Sequence, residues 1–408
     1  MNARAFSAPP LANLERLPIL DPEYKHNPYP WYREWTARPP FWAQLEGTPV
    51  VLAARFRDVE AIYHDHQTFS SVKPPGPDME RFDFFNGYKD MVHTDPPEHT
   101  RLRGTIAAAF YPQAIARIEP QVQAVADELV RGIVQRGGPA ELMTDLAHPL
   151  SVRSLLSILL AMPEQDHPLF INLSKAMGLV SETPPGGPKP KAYLDAWEAG
   201  RSYCLRLIEQ RRANPGEDLV GHVIRAHLDG LLSADELFVM MIGLFAGGIG
   251  SVATTIGNAS IQLLSRPEQY QALCADPGLA GNAVEEVMRF DAAGLFNYKF
   301  ATRDCVFEGV EIPAGTTVYL IHQGTGFDAA VFDDPFCFDI RRSVKRHLSF
   351  GYGVHFCIGA PLARVAIKAA LRAMATQMPG LKLQPGKDIT YGGWQQERAP
   401  TAVHVTIS

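Results

Sequence analysis

A single stretch near the C-terminus, Ser349-Phe350-Gly351-Tyr352-Gly353-Val354-His355-Phe356-Cys357-Ile358-Gly359-Ala360-Pro361-Leu362-Ala363-Arg364, constrains the fold more than any other part of the 408-residue chain. It sets one cysteine in a glycine-rich turn immediately ahead of a helix. Gly351, Gly353 and Gly359 are expected to take positive φ and let the backbone pass close to a flat cofactor, and Pro361 suits a first helical turn, where its missing N–H is not needed. Leu362, Ala366, Ala369 and Ala373 then recur on one helical face. Cys357 therefore lies just before a helix N-terminus, whose free N–H groups and partial positive charge favour a thiolate, and a thiolate can bind a metal. A lone cysteine between glycines is more often an inert buried residue, so the ligand reading needs support from the rest of the chain.

Two further motifs give it. Glu286-Val287-Met288-Arg289 places a carboxylate and a guanidinium at i and i+3 of a helix expected over 279–290, where they can pair. Asp95-Pro96-Pro97-Glu98-His99 leads into a helix expected over 98–110, on which His99 and Arg103 share a face and can aim two donors at one anion. With these motifs in order before it, the set Phe350, Gly351, Gly353, His355, Cys357 and Gly359 resembles the haem-binding signature of the cytochrome P450 superfamily, and the likeness extends over nearly the whole chain. The resemblance implies a mainly α-helical fold with a small β region, 1–408 forming one domain, and one haem b (iron protoporphyrin IX) held between helices I and L. It also implies Cys357 as the iron ligand, His99, Arg103, His355 and Lys299 as contacts to the haem propionates, and Glu286, Arg289 and Arg342 as a buried structural triad supporting the cysteine loop. Lys299 stands where the family usually has an arginine, and a lysine offers a point charge rather than a bidentate fork.

Composition agrees with a large core: 46% of residues are hydrophobic and 20% charged, with no internal repeat or low-complexity linker dividing the chain. A formal net charge of −6 gives no reason to expect nucleic-acid binding. The five cysteines are scattered, without a Cys-x-x-Cys pair, which argues against a disulfide framework or structural zinc and for a reducing, cytoplasmic compartment. Residues 1–17 hold no apolar run of the kind found in signal peptides or membrane anchors, so the resemblance is to the soluble bacterial type. The uncharged run 237–265 is long enough to span a membrane, but its Gly, Ser, Thr, Asn and Gln residues fit a helix at the centre of a large protein.

Along the chain, 27–36 reads as an amphipathic helix, 40–54 as two strands about a Glu46–Pro49 turn, and 56–65 as a helix. The aperiodic stretch 70–91 carries Phe82, Phe84, Phe85 and Tyr88; by resemblance it is the B–C loop that borders the substrate, although its aromatics can equally serve only to pin it to the core. Helical spacing runs over 113–135, 146–161 and 164–180, and the proline-rich 181–190 resembles the F–G loop over the substrate channel, with an exposed linker as the plain alternative. Ser233-Ala234-Asp235-Glu236 is a capping box that opens a helix of about 45 Å ending near Pro267, and Gly247, Gly248 and Gly250 interrupt its middle. By resemblance this is helix I. Leu295, Phe296 and Trp394 are expected in the pocket wall, and Gly324–Asp328 departs from the family's usual Asn-Arg-Asp-type stretch.

The implied activity is monooxygenation of a small or medium apolar molecule, with electrons from a ferredoxin-type partner and its NAD(P)H reductase, since the chain carries no flavin or iron–sulfur segment. Arg341, Arg342, Lys345 and Arg346 form a basic cluster where such a partner can dock. The distal helix is atypical. The family's acid–alcohol pair aligns with Gly250 and Ser251; the serine keeps a hydroxyl, but the glycine has nothing to relay protons. Peroxide-driven or non-oxygenating chemistry, and a non-catalytic haem sensor, are the alternatives.

Overall fold

The computed structural model describes residues 6–75, 83–183, 187–216, 218–344 and 346–407. Phe82, Lys345 and the 184–186 part of the proline-rich stretch lie outside them.

Two short helices, α1 (Pro22–His26) and α2 (Tyr29–Trp35), open the chain, and the hairpin β1 (Phe41–Leu45) and β2 (Thr48–Ala53) turns at Glu46 and Gly47, both at positive φ. Helix α3 (Phe56–His64) and the short β3 (Phe69–Ser70) follow. The helix expected over 98–110 is broken: α4 (Glu98–Gly104) stops, and a tighter turn covers Ala107–Phe110. After α5 (Pro112–Arg136) and β4 (Pro139–Glu141), α6 (His148–Val152) is flanked on both sides by wider π-type turns, which the 3.6-residue pattern does not reveal. Next come α7 (His167–Gly178), α8 (Lys191–Arg211) and α9 (Leu219–Leu228).

Helix α10 (Ala234–Leu264) is the axis of the molecule. Its 31 residues begin at the Ser233 capping box, with Ser233 Oγ accepting from the Glu236 N–H at 3.1 Å and Glu236 Oε2 accepting from the Ser233 N–H at 2.7 Å. Gly247, Gly248 and Gly250 do not interrupt it; the helix is continuous, and the glycines matter for what approaches it. Leu155 packs where a Gly248 Cβ would stand, 2.7 Å away. Most of α10 is buried among α6, α7, α12 (Ala280–Asp291) and α13 (Ala360–Gln377), as a core helix should be.

Between α10 and α12 lies α11 (Pro267–Ala275), and between α12 and α13 lie β5 (Asn297–Ala301), β6 (Cys305–Phe307), β7 (Val310–Ile312) and β8 (Thr317–Leu320). Strand β8 pairs parallel to β2 and antiparallel to β5, giving a five-stranded sheet in the order β1-β2-β8-β5-β3. The chain closes with β9 (Lys382–Leu383), β10 (Tyr391–Gly392), β11 (Ala399–Pro400) and β12 (His404–Thr406). The result is a mainly α-helical fold with a small β region.

Candidate active site

Cys357 is presented by the loop that the sequence singled out. Gly351 and Gly353 take φ of +71° and +68°, and a Cβ on Gly353 would stand 3.1 Å from the Tyr63 carbonyl, so the loop passes tightly over the end of α3. Gly359 departs from expectation. Its φ is −78°, an ordinary helical value, and a Cβ there would make only ordinary contact with Cys357 Sγ, at 3.8 Å. The Cys357 N–H donates to the Phe350 carbonyl at 2.8 Å, closing the loop. Burial pushes the thiol up, while the N–H groups of Gly359 and Ala360 and the charges of Arg103 and Arg364 pull it down, which is the environment that stabilises a thiolate once it has a cation to bind.

Behind the loop lies the triad. Arg289 and Glu286 are fully buried and joined by two hydrogen bonds of 2.7 Å. Arg289 also donates to the carbonyls of Gly326, Pro335 and Cys337, while Glu286 accepts from the Asp339 N–H at 2.9 Å. Arg342 is the looser member, its Nε 3.5 Å from Glu286 and its other nitrogens on the Asp333, Asp334 and Cys337 carbonyls. The atypical stretch at 324–328 is legible here: a Cβ on Gly326 would collide with the Arg289 carbonyl, so only glycine fits. Glu285 adds a second clamp. Burial would raise its carboxyl, but hydrogen bonds from His347 and Arg364 outweigh that and hold it at about 2.

Cys357 opens onto a cavity of about 520 Å³, within the usual range of ligand sites, roughly 300–1,000 Å³. Its wall runs from Cys357, Gly359 and Leu362 to Gly247, Gly250, Ser251 and Thr255 of α10, with Phe85, Phe296 and Trp394 among the apolar walls. His99, Arg103, Lys299 and His355 all reach the same cavity. The two imidazoles lie 4.2 Å apart, His99 Nδ1 is buried without a partner, and His355 Nε2 and Lys299 Nζ both meet Ser71 Oγ. Burial, reinforced by the neighbouring cations, pushes His99 down to about 4 and His355 to about 2, and burial holds Lys299 at about 8. Among the described residues no carboxylate forms an ion pair with Arg103 or Lys299. The nearby carboxylate, Asp95, stands 4.0 Å from His355 and is already held by Ser70 and Ser71, so the buried charges of Arg103 and Lys299 are costly unless a further anion is their purpose.

Two of the expected wall residues lie elsewhere. Leu295 is buried in the core with its N–H on the Gln396 carbonyl at 2.7 Å; Phe296 faces the cavity, and the residue before it in an extended segment faces away. Phe84 stands behind Trp394, stacked on it at 5.7 Å and 10°, and so supports the wall rather than forming it. Glu397 was not anticipated at all. It lines the cavity beside Gly250, three residues after Trp394 in the same turn, and nothing in its local sequence pattern marks it.

An iron porphyrin answers both halves of this site, the metal to Cys357 and the propionates to the cationic cluster, and the fold with its long central helix is that of a haem-thiolate protein. The chain belongs to the cytochrome P450 superfamily: residues 23–276 and 279–377 match the Cytochrome P450 family. It is 37% identical over 320 residues to nocardicin C N-oxygenase of Nocardia uniformis subsp. tsuyamanensis, covering 78% of this chain and 79% of that protein. It is 33% identical to the cytochrome P450 monooxygenase PikC of Streptomyces venezuelae, over 94% of this chain and 92% of PikC. Among solved structures, CxnD, a cytochrome P450 for C–S bond formation in chuangxinmycin biosynthesis, superimposes with a TM-score of 0.87 at 28% identity, covering 96% of this chain and 97% of CxnD. The protein is a haem b oxidoreductase of the cytochrome P450 monooxygenase type, which sets aside the sensor reading.

Proposed function

We propose that residues 1–408 act as one haem domain in the cytoplasm, hydroxylating a small or medium apolar molecule with electrons from a separate ferredoxin-type protein and its NAD(P)H reductase. The carrying observation is the cavity: it must hold a porphyrin against Cys357, and what is left beside Phe85, Phe296 and Trp394 suits a modest apolar substrate. Cys357 is the iron ligand, and His99, Arg103, Lys299 and His355 hold the propionates. When bound, the haem supplies reduction of dioxygen and insertion of one oxygen atom into a C–H bond, chemistry that a thiolate ligand favours.

The chain's own part is positioning and proton handling. Apolar walls orient the substrate and exclude water. Ser251 donates to the Gly247 carbonyl at 2.8 Å, so its proton is engaged and its oxygen is left to accept from a water or a substrate hydroxyl. No carboxylate stands in the middle of α10, whose acids are confined to its first turn, and this favours a second reading in which peroxide, arriving already protonated, drives turnover.

The purified holoprotein should show the red-shifted Soret band of a thiolate-ligated carbon monoxide complex and a low-spin to high-spin shift with apolar ligands. Product per NADPH with surrogate redox partners, set against peroxide-driven product, separates the two readings. A thiolate band with no product by either route would overturn both.

A further inference from the structure

We propose that the Glu397 carboxyl, carried in by the C-terminal turn, takes the spatial place of the acid that α10 lacks and passes protons to the cavity beside Ser251. This rests on the monooxygenase reading above. A Cβ built on Gly250 has one neighbour within 4 Å outside its own helix, Glu397 Oε1 at 3.7 Å. Glycine at 250 thus leaves room that a carboxyl from elsewhere in the chain approaches, and Glu397, Gly250 and Ser251 line one cavity. The second oxygen, Oε2, lies against Gly393, 3.3 Å from where its Cβ would be, while Oε1 faces α10.

The residues on either side are fixed as well. The Glu397 N–H donates to the Trp394 carbonyl at 2.9 Å, and the Gln396 carbonyl accepts from Leu295 at 2.7 Å. Arg398 is buried, its Nη1 shared between the two Asp291 oxygens at 2.7 and 2.8 Å, and its Nε and Nη2 donate to the carbonyls of Lys25 and His26. Asn258 of α10 donates to the carbonyls of both Arg398 and Asp291, tying the turn to the helix it serves. Such support holds a side chain in a working geometry that its own rotamer freedom would otherwise blur.

The charge environment suits a proton carrier. Burial raises the Glu397 carboxyl above its ordinary value, opposed by the Trp394 N–H and by Lys25. Lys25 of α1 is the charged group that acts on it; along the same turn the Asp291–Arg398 pair neutralises itself, and His322, which burial keeps neutral with a pKa of about 4, bonds the carbonyl of Gly294, the residue bridged to Glu397. Lys25 Nζ reaches the Gly393 and Trp394 carbonyls at 3.0 and 2.7 Å on the partly exposed side of the turn, where solvent can recharge the acid. Hydroxylation consumes RH, O2, two electrons from NAD(P)H and two protons, and yields ROH and H2O. Glu397 gives each proton to a water, which Ser251 Oγ can hold by accepting a hydrogen bond from it, and regains it from solvent, unchanged over the cycle.

The test uses holoprotein carrying Glu397→Gln, Glu397→Asp and the double change Gly250→Asp/Glu397→Gln. Without turnover, the infrared spectrum of the carbon monoxide complex should show a protonated carboxyl band that shifts in D2O and vanishes in Glu397→Gln, together with a displaced C–O stretch. In turnover, oxygen-driven product formation should fall by about 100-fold or more in Glu397→Gln, and product per NADPH with it. Peroxide-driven product should hold, the aspartate variant should fall between, and the double variant should recover. The proposal is overturned by an unchanged infrared spectrum and coupling, by equal loss in both routes, or by weaker ligand-induced spin shift at full coupling, which would make Glu397 a substrate contact. Should Glu397→Gln fail to fold, absence of the D2O-sensitive band in wild type overturns it. A wild type with the band but no product by any route would instead strike the monooxygenase reading.

Discussion

On the cysteine side of the cavity, the loop that presents Cys357 is closed by its own neighbours: Phe350 accepts from the Cys357 N–H, and Gly351 and Gly353 make the turns. On the α10 side, the polar groups come from remote parts of the chain, with Gly250 and Ser251 on the helix, Glu397 from the C-terminal turn, and an Asp291–Arg398 pair holding that turn in place. Metal ligation needs one residue in one local geometry, which a short motif encodes. Proton delivery needs only a carboxyl at a point in space, so any segment that reaches the point can provide it, and the helix is free to lose its acid.

The sharpest way to break the comparison is to remove the local motif's one indispensable atom. Cys357→His should abolish the red-shifted Soret band and oxygenation together, with the secondary structure intact by circular dichroism; survival of the band would mean that the ligand lies elsewhere. Next come the two buried ion pairs, one on each side. Glu286→Gln and Asp291→Asn each strand a buried arginine, and each should destabilise the protein by about 3–5 kcal/mol in denaturant unfolding. Their spectra should part company. Glu286→Gln loosens the segment before Cys357 and should lose haem, whereas Asp291→Asn should keep the thiolate band in the folded fraction and lower product per NADPH as the Glu397 turn slackens. Matching effects would erase the distinction between the two sides.

That division follows what the sequence made legible. The capping box at Ser233 and Glu236, the hairpin turn at Glu46 and Gly47, the Glu286–Arg289 pair and the cysteine loop are all determined by residues within a few positions of each other, and all are where they were expected. Leu295, Phe84 and Glu397 are different. Which of two neighbours in an extended segment faces a cavity, which aromatic stands in front of another, and which carboxyl fills the space beside a glycine are settled by segments distant in sequence, and periodicity carries no record of them. Gly359 shows the limit within a motif: its φ is helical and not positive, and a Cβ would make only ordinary contact with the sulfur, so neither backbone nor space demands glycine there.

Lys299 allows a test of the proposed propionate contacts, where both sides meet. Burial lowers its amine from the usual 10.5 to about 8, a difference of about 3 kcal/mol against the charged form. Because the folded state holds the proton less tightly than the unfolded state, stability of the haem-free protein should rise with pH from about 8 towards 10.5, and the penalty is fully present below 8. Lys299→Met should remove that rise. A propionate reverses the preference by favouring the charged amine, so haem affinity in wild type should weaken above about pH 8 and stay flatter in the variant. Titrating haem into both proteins at pH 7 and pH 9.5 decides it, and parallel affinities would take Lys299 out of the propionate site.

The smallest effect concerns the outer surface of the cysteine side, where an electron donor must come near the haem. The basic cluster ahead of the loop is less uniform than its sequence suggests: Arg342 is committed to Glu286 and nearby carbonyls, and Arg346 is bidentate on Glu60 at 2.6 and 2.9 Å. Arg341 is exposed and, among the described residues, in no ion pair, so its charge is the one an acidic partner can meet undiminished. Arg341→Glu should slow first-electron transfer several-fold at low ionic strength, and the difference should close as salt screens it. Arg212→Glu, at the exposed end of α8 on the α10 side, changes the net charge equally and serves as the control. If both reversals slow transfer alike, the partner is steered by overall charge and not by this face; if neither does, docking lies away from Arg341 and the cysteine side has no electrostatic claim on its electron donor.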